Sequence, residues 1–490
     1  MNAIFLALPV LIPFAAGIAV YLLRFEDAHR RNLLTACAII ANSLVILLLI
    51  VFRPSEPLTL IRLSDSVTLA LRLDGFGSVF LALIAFLWPV AIFYSFEYME
   101  HEHNQQRFFA FYTLSYGVTA GIAMSADLIT MYFFYELLTL VTVPLVAHEE
   151  DRRSQRAGRK YIIYSIGGAA LSFVGIVMLY KFGGVGSFTP GGFAKAADGD
   201  GQKMLLIAYF LTFVGFGVKS AIFPLHGWLP SAGVAPTPVT ALLHAVAVVK
   251  SGVFASMRST LYAFGPELLR GSWAQYAAML IAAVTIVYGS AMALREQHLK
   301  RRLAYSTVSN LSYILFGMTL LTSAGFSAAL SHMLFHGIMK ITLFFCAGTV
   351  LCKTGREYVP QTEGLGRKMP LTFTVYLIAS LALTGAPFLP GFISKMNLIN
   401  AAAAEGSGFA FAGIIALLVS ALLTGAYLIP MSVRAFVPRE GAELSFTEKD
   451  RDPGLRMLIP FAVLCAAMLV FGVHASPLMQ VLEELAAAIN

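Results

Sequence analysis

Apolar positions in this chain do not alternate with polar ones; they gather in runs of about twenty residues separated by short polar connections. At about 1.5 Å per residue, a run of that length crosses the roughly 30 Å hydrocarbon core of a bilayer as a helix. The pattern predicts spans at 2–23, 32–52, 76–96, 108–124, 127–147, 160–181, 204–224, 237–258, 274–294, 303–322, 328–352, 371–400, 408–431 and 457–475. The alternating ten-residue segments of a membrane barrel are absent. No basic stretch precedes the first apolar run, which predicts a retained helix rather than a cleaved signal. The longer connections, 53–75, 182–203 and 432–456, are too short to fold as soluble domains. The expected architecture is an all-α integral membrane protein of about fourteen transmembrane helices, a single transmembrane domain over 1–490.

Composition agrees: 58% of residues are hydrophobic and only 12% charged, where soluble domains carry about 25% charge. The net charge of +7 would suggest nucleic acid if it clustered on one soluble surface. Instead, 22 of the 34 Lys and Arg lie in the odd-numbered connections and 8 in the even-numbered ones. Arg24, Arg30 and Arg31 occupy the first connection, Arg152, Arg153, Arg156, Arg159 and Lys160 the fifth, and Lys300, Arg301 and Arg302 the ninth. Basic residues collect on the cytoplasmic side of membrane proteins. Segments 148–160 and 353–369 are therefore predicted to face the cytoplasm, and both termini the opposite side of a bacterial plasma (inner) membrane. A nucleic-acid partner is not expected. Cys37, Cys346, Cys352 and Cys465 form no CxxC pair, and there is neither a dinucleotide fingerprint nor a P-loop. No cofactor and no metal are expected, and the chain has no visible means of handling electrons or ATP.

The four basic residues left over, Lys219, Lys250, Lys340 and Lys395, fall inside apolar spans, and no arginine is assigned there. A charged lysine at mid-membrane costs about 2.5–3.5 kcal/mol on insertion scales. Only one acid, Glu136, is equally deep, and it cannot pair four ammoniums. Lysine can give up its proton when buried and arginine effectively cannot, so the choice of residue suits a proton relay. Snorkelling to the interface is the competing explanation. Lys219, Lys250 and Lys340 are read as too deep in their spans for a lysine stem to reach the interface, Lys340 lying twelve residues, about 18 Å, from either end; for Lys395 the alternative stays open. His332, His336 and Lys340 follow at i, i+4 and i+8, one helix face over about 12 Å. His244 shares a span with Lys250. Such histidines also serve as hydrogen-bonded core residues, and an HxxxH pair would hold a metal if a third ligand joined it; none is near in sequence.

Pro224 lies five residues after Lys219, and Pro387 and Pro390 precede Lys395. Proline removes a helical hydrogen bond, and in transporters broken helices, often paired in repeats, present backbone groups to ions near the midplane. A plain structural kink is the alternative. The spacing suggests two inverted five-helix repeats, 107–260 and 274–431, each with a proline-broken fourth helix.

The stretches VKSAIFPLHGWLPSAGVAPTPVTALLHAVAVVKSGVF, LKRRLAYSTVSNLSYILFGM, HMLFHGIMKITLFFCAG and PLTFTVYLIASLALTGAPFLPGFISK resemble the antiporter-like proton-channel subunits. That family includes the A-type and D-type subunits of Mrp cation/proton antiporters and their relatives in membrane-bound hydrogenases, formate hydrogenlyase and respiratory complex I. The resemblance runs from about 70 to 430. It implies that Glu136 and Lys219 form the family's charge pair, that His244 and Lys250 are connecting residues, that His332, His336 and Lys340 belong to the central hydrophilic axis, and that Lys395 serves the outlet. The complex I M-type subunit has glutamate at that last position, and the L-type subunit carries a long lateral helix that does not follow the last span here. A D-type or hydrogenase-type subunit is the implied kind, moving H+, with or without exchange for Na+ or another cation, beside homologous and small membrane subunits. A proton-pumping subunit of an NADH:quinone oxidoreductase-like complex is the alternative within the family. Outside it stand a self-contained transporter of an organic solute and a quinone- or haem-binding redox protein. In the expected mechanism ionised Glu136 favours protonated Lys219; neutralising or moving Glu136 pushes the proton on through Lys250 and His336 or Lys340, to leave by Lys395.

Overall fold

The computed structural model describes residues 2–23, 25, 27–64, 67–195, 199–441 and 444–489. Arg24 of the first basic connection and both terminal residues lie outside them. The chain opens with α1 (Leu8–Leu22) and α2 (Ala28–Phe52). A small antiparallel hairpin of β1 (Leu58–Arg62) and β2 (Thr68–Leu71) follows, in a segment expected to be only a connection. Next come α3 (Gly75–Tyr98), α4 (Gln105–Ala123), α5 (Leu128–Val146), α6 (Arg152–Gly183) and α7 (Asp200–Lys219). Then follow α8 (Trp228–Ser231), α9 (Thr237–Ala245), α10 (Val248–Arg258), a π-helical turn over Ser259–Phe264, and α11 (Pro266–Leu269). The rest comprises α12 (Trp273–Arg295), α13 (Leu299–Thr319), α14 (Ser323–Thr354), α15 (Pro370–Thr384), α16 (Pro390–Glu405), α17 (Gly408–Phe436), α18 (Leu455–Val473) and α19 (Ser476–Ala487).

The all-α multi-pass expectation holds. Among the described residues, eleven helical segments are long and apolar enough to cross a membrane. The tally falls short of the fourteen expected because α4 and α13 are interrupted by Ser, Thr, Tyr and Asn, and because the twelfth span is split into two short helices. Helix starts are set by side chains that accept the open amides: Asp74 from Gly77, Asp127 from Thr130, Asp151 from Ser154 and Thr322 from Gly325. Each such cap contributes about 1 kcal/mol.

Three helix breaks interrupt the bundle. Helix α7 stops at Lys219, so the predicted span to 224 ends early, and Pro224 lies in the irregular stretch before α8. Helix α15 stops at Thr384 and resumes at Pro390. Pro387 lies within that gap, and Pro390 opens α16, where its missing N–H removes no helical bond. The third break was not expected: Val246 and Ala247 separate α9 from α10 without a proline, where one continuous helix was predicted. Helix α14 runs unbroken for 32 residues.

Segments α9, α10 and α14 form the centre of the bundle, buried almost throughout. Helices α1, α2, α17 and α18 turn residues such as Leu44, Leu48, Leu422 and Val473 outward, as helices that face lipid or neighbouring subunits do. Two ends of the bundle are distinguished below: a basic face, bearing 148–160, 295–302 and 353–369, and a hairpin face, bearing the β-hairpin, the 184–195 segment, α11 and α19.

Candidate functional site

At the first proline-associated break, Lys219 is the last residue of α7 and is fully buried. Its Nζ is 3.6 Å from Glu136 Oε1 of α5, donates to the Tyr135 carbonyl, and lies 3.4 Å from the Tyr135 ring centroid. The buried carbonyl of Val218 accepts from Trp228 Nε1 at 2.8 Å and from Ala221 N at 2.9 Å, so the lysine is not needed to cap its own helix. The Glu136 side chain is 28% exposed against 1% for Lys219, although the Oε1 that faces the lysine is itself buried. Helix α10 meets this break at Gly252, where an added Cβ would stand 2.7 Å from Ser220 N and 2.9 Å from the Lys219 carbonyl carbon. Only glycine lets the Lys250 helix approach the end of the Lys219 helix so closely.

Lys250 leads sideways. Its Nζ is 2.6 Å from His336 Nδ1 on α14. One turn along that helix, the His332 ring lies 5.9 Å from the His336 ring. His332 Nδ1 is 2.9 Å from Ser394 Oγ, the neighbour of Lys395. Tyr313 stacks on His332 at 5.1 Å, and its ring centroid is 5.3 Å from Lys395 Nζ. Lys250, His336, His332, Ser394 and Lys395 are all buried. Among the described residues, His336 Nε2 and His332 Nε2 have no hydrogen-bond partner; buried polar atoms of this kind are ordinarily matched by ordered water.

Lys395 does not snorkel. It is 6% exposed and donates to the carbonyls of Leu383 at 2.7 Å and Thr384 at 3.1 Å, the open end of α15 across the second break. Nearby, on the hairpin face, a cavity of about 370 Å³ is lined by Ser327, Ala328, Asn397, Asn400, Ala404 and Glu483 among others.

Lys340 points the other way from His332. Its Nζ donates to Leu303 O at 3.0 Å, and His244, packed on Phe344 at 4.7 Å, lies within electrostatic range of both Lys340 and Lys300. Lys300 donates to Ala235 O at 2.9 Å and lines a basic-face cavity of about 430 Å³ with His101, Glu102, Glu149, His298 and Glu357. Burial and the nearby Glu149 raise the Glu102 carboxyl above the usual range, and burial lowers His298. The sequence alternative "His336 or Lys340" thus resolves into two directions: His336 toward Lys395, Lys340 toward the basic face. Among the described residues, the one group of three converging metal-ligand atoms is Glu102, His103 and Glu149, within 4.8 Å; His332 and His336 are not part of it.

One sequence reading needs correction. No arginine was assigned to the spans, yet Arg258, at the end of the eighth, is fully buried and paired with Asp74, Nη1 to Oδ2 at 2.6 Å. Arg302 is also buried, donating to the carbonyls of Glu296 and Tyr427 at 2.8 Å. Both sit where an apolar run meets a connection, a place a linear pattern assigns to the surface. Ser394 and Tyr313 were also missed; their only signal is adjacency to Lys395 and a place on a helix rich in hydroxyls.

Residues 125–424 match the family described as NADH:quinone oxidoreductase/Mrp antiporter, transmembrane, and residues 61–109 match the NADH-ubiquinone oxidoreductase (complex I) chain 5 N-terminus. A protein of Rhizobium meliloti described as the probable A/B subunit of a K(+)/H(+) antiporter is 33% identical over 412 residues, 82% of this chain and 40% of that protein. The N subunit of the NADH-quinone oxidoreductase of Desulforudis audaxviator is 31% identical over 423 residues, 82% of this chain and 81% of that one. The chain therefore spans less than half of the first relative and most of the second. A chain of the membrane-bound sulfane sulfur reductase, an archaeal respiratory membrane complex, has the same fold, with a TM-score of 0.86 at 23% identity over 99% of this chain and 97% of that one. By the match over most of its length and by relatives above 30% identity, this chain belongs to the NADH:quinone oxidoreductase/Mrp antiporter family of transmembrane proteins.

Proposed function

We propose that the chain is a proton-translocating, antiporter-like subunit of a multi-subunit complex in a bacterial plasma membrane. The observation that carries this is the succession of buried titratable groups Lys250, His336, His332 and Lys395: Lys250 meets His336 at 2.6 Å, the two histidine rings lie 5.9 Å apart, and His332 reaches the Lys395 helix through Ser394 at 2.9 Å and the stacked Tyr313 ring. An apolar core gains nothing in stability from such groups, and intramembrane ionisable residues mark ion pathways. The Glu136–Lys219 pair is the switch: ionised Glu136 holds a proton on Lys219, and its movement or neutralisation releases that proton toward Lys250. Protons then pass His336 and His332 and leave by Lys395. Lys340 and His244 connect this axis to the basic-face cavity beside Lys300. The two inverted five-helix units, the cytoplasmic placing of the basic face and the location of both termini on the other side belong to the same proposal, the last two resting on the charge asymmetry.

The partners are homologous membrane subunits and small membrane subunits of the same complex, and the exchanged cation is H+, alone or against Na+ or another cation. A second reading, a pumping subunit of an NADH:quinone oxidoreductase-like complex, is favoured by the Desulforudis relative matched over most of its length. Isolation of the native assembly separates the two: flavin or iron–sulfur subunits in it support the redox-driven complex, and their absence the cation antiporter. The translocation itself is tested in vesicles holding the native assembly. Cysteine labelling that places 148–160 outside the cell overturns the orientation. Cation/proton exchange by the purified lone chain equal to that of the assembly overturns the reading of the chain as one part of a larger complex.

A further inference from the structure

The hairpin-face end of α10 carries a charged pair that this path does not use. Arg258 follows Lys250 by eight residues on the same helix, about 12 Å along its axis. Its guanidinium lies 4.7 Å from the Tyr262 ring centroid, 4.8 Å from Phe188, 5.3 Å from Phe76 and 5.6 Å from Phe254. Asp74, its ionic partner, is held in turn by the first turn of α3, where Gly77 N donates to Oδ1 at 2.8 Å. Beyond Arg258 the π-helical turn is covered by the 184–195 segment: Thr189 N donates to Tyr262 O at 3.1 Å, and Phe193 N and Ala194 N to Ala263 O at 3.1 and 2.9 Å.

The second unit is built differently at the same face. There the path reaches His332 and Lys395, and a mostly apolar cavity of about 370 Å³ begins close by, at Ala328 and Asn397. So one end holds a caged permanent cation and the other an opening whose lining includes the amides of Asn397 and Asn400 and the carboxylate of Glu483.

We propose that Arg258 is the residue that seals the first unit against protons at the hairpin face, so that a proton on Lys250 leaves only sideways through His336. The proposal rests on the translocation reading above. Three properties fit it to the task. Arginine cannot release its proton, so it cannot relay one. A fixed cation in a narrow apolar passage is an electrostatic barrier to an incoming proton. By pairing Asp74 it also neutralises a carboxylate that would otherwise carry protons at that end. Stability is a poor rival explanation. A buried ion pair loses most of its Coulombic gain to desolvation and is commonly matched by apolar packing, while Asp74 has a capping role without Arg258.

The test is passive proton leak in sealed vesicles holding the native assembly, read by an internal pH dye after an external pH jump without the driving reaction. Arg258→Gln, which frees the Asp74 carboxylate, should leak several-fold faster than wild type. Arg258→Lys keeps the pair, and so the assembly, but can release its proton and should leak at an intermediate rate. Adding Asp74→Asn to Arg258→Gln should return the leak toward wild type; a double variant as leaky as the single one would make the role one of packing and overturn the proposal. Wild-type leak in the Lys variant, and in the Gln variant wherever it assembles, also overturns it. Driven translocation by wild-type vesicles is measured alongside. Its absence sinks the function proposed above, whereas a working wild type with tight variants sinks only the seal.

Discussion

The two proline-associated breaks place the same residue type in opposite positions, and on the proposed path the difference separates a gate from an outlet. Lys219 ends the helix before its break, leaves the buried Val218 carbonyl to Trp228, and faces the carboxylate of Glu136 at 3.6 Å. Lys395 lies in the helix after its break and reaches back to the carbonyls of Leu383 and Thr384. Among the described residues no carboxylate comes within ion-pair distance of it. A lysine opposite a carboxylate can be switched, because the partner's charge changes with protonation or movement. A lysine opposite peptide dipoles has surroundings that do not change unless the helix itself moves. On the proposed path, the first break is the one a neighbour controls, and the second the one that returns to a single state after each proton.

The comparison can be broken or sharpened by experiment. The largest effects are expected where the controlled pair is removed. Glu136→Ala and Lys219→Ala should each lower driven proton transport by about 100-fold or more, the scale on which positioned proton-transfer groups act. Near-normal transport at normal assembly would remove the switch from the first break. Next, Lys219→Arg keeps the charge but not the ability to release the proton. Transport should fall about tenfold, roughly 1.4 kcal/mol in barrier; wild-type rates would make Lys219 a fixed charge rather than a switched one. The same substitution at Lys340 should impair transport too, with a smaller loss because Lys340 lies off the direct line from Lys250 to Lys395.

A more modest change is expected from Gly252→Ala. The new methyl would stand 2.7 Å from Ser220 N, and overpacking of this kind costs about 1–3 kcal/mol. Transport should drop several-fold while Glu136 remains competent. An unchanged rate would show that the contact between α7 and α10 does not set the transfer from Lys219. The smallest effect is structural. Asp452 accepts from Leu371 N and Thr372 N at 3.0 and 2.9 Å, tying down the start of α15. Asp452→Ala should lower thermal stability in detergent by about 1 kcal/mol, a typical capping loss, and leave the transport rate nearly unchanged. A large transport loss would mean that the second break is not static after all.

What the sequence disclosed follows from what a bilayer makes visible. An ammonium inside an apolar run stands out in one dimension, so Lys219, Lys250 and Lys340 were legible without any fold. So were the breaks at Pro224 and Pro387, because proline writes its effect into the chain. The break at Val246–Ala247 has no such letter; it arises from how α9 and α10 pack in a fully buried region. Arg258 was hidden because depth at the end of a run depends on what covers it, here the 184–195 segment and α3. The divergence of Lys340 from His332 was equally out of reach. Periodicity places both on one face, and only the neighbours reveal that the upper and lower parts of that face meet different helices. The helix tally slipped for a related reason: α4 and α13 are shielded by other helices, so their sequences need not be uniformly apolar.

Helix α14 has a mechanical consequence. It is an unbroken rod of 32 residues, about 48 Å long, with His336 touching α10 and, one turn along the same face, His332 touching α16. These two contacts sit about 6 Å apart on a body that does not bend between them, and both are short together, 2.6 and 2.9 Å. The rod therefore acts as a crossbar: a slide or turn of α14 shifts the junction with α10 and the junction with α16 in the same stroke, so neither half of the molecule moves against this helix without disturbing the other.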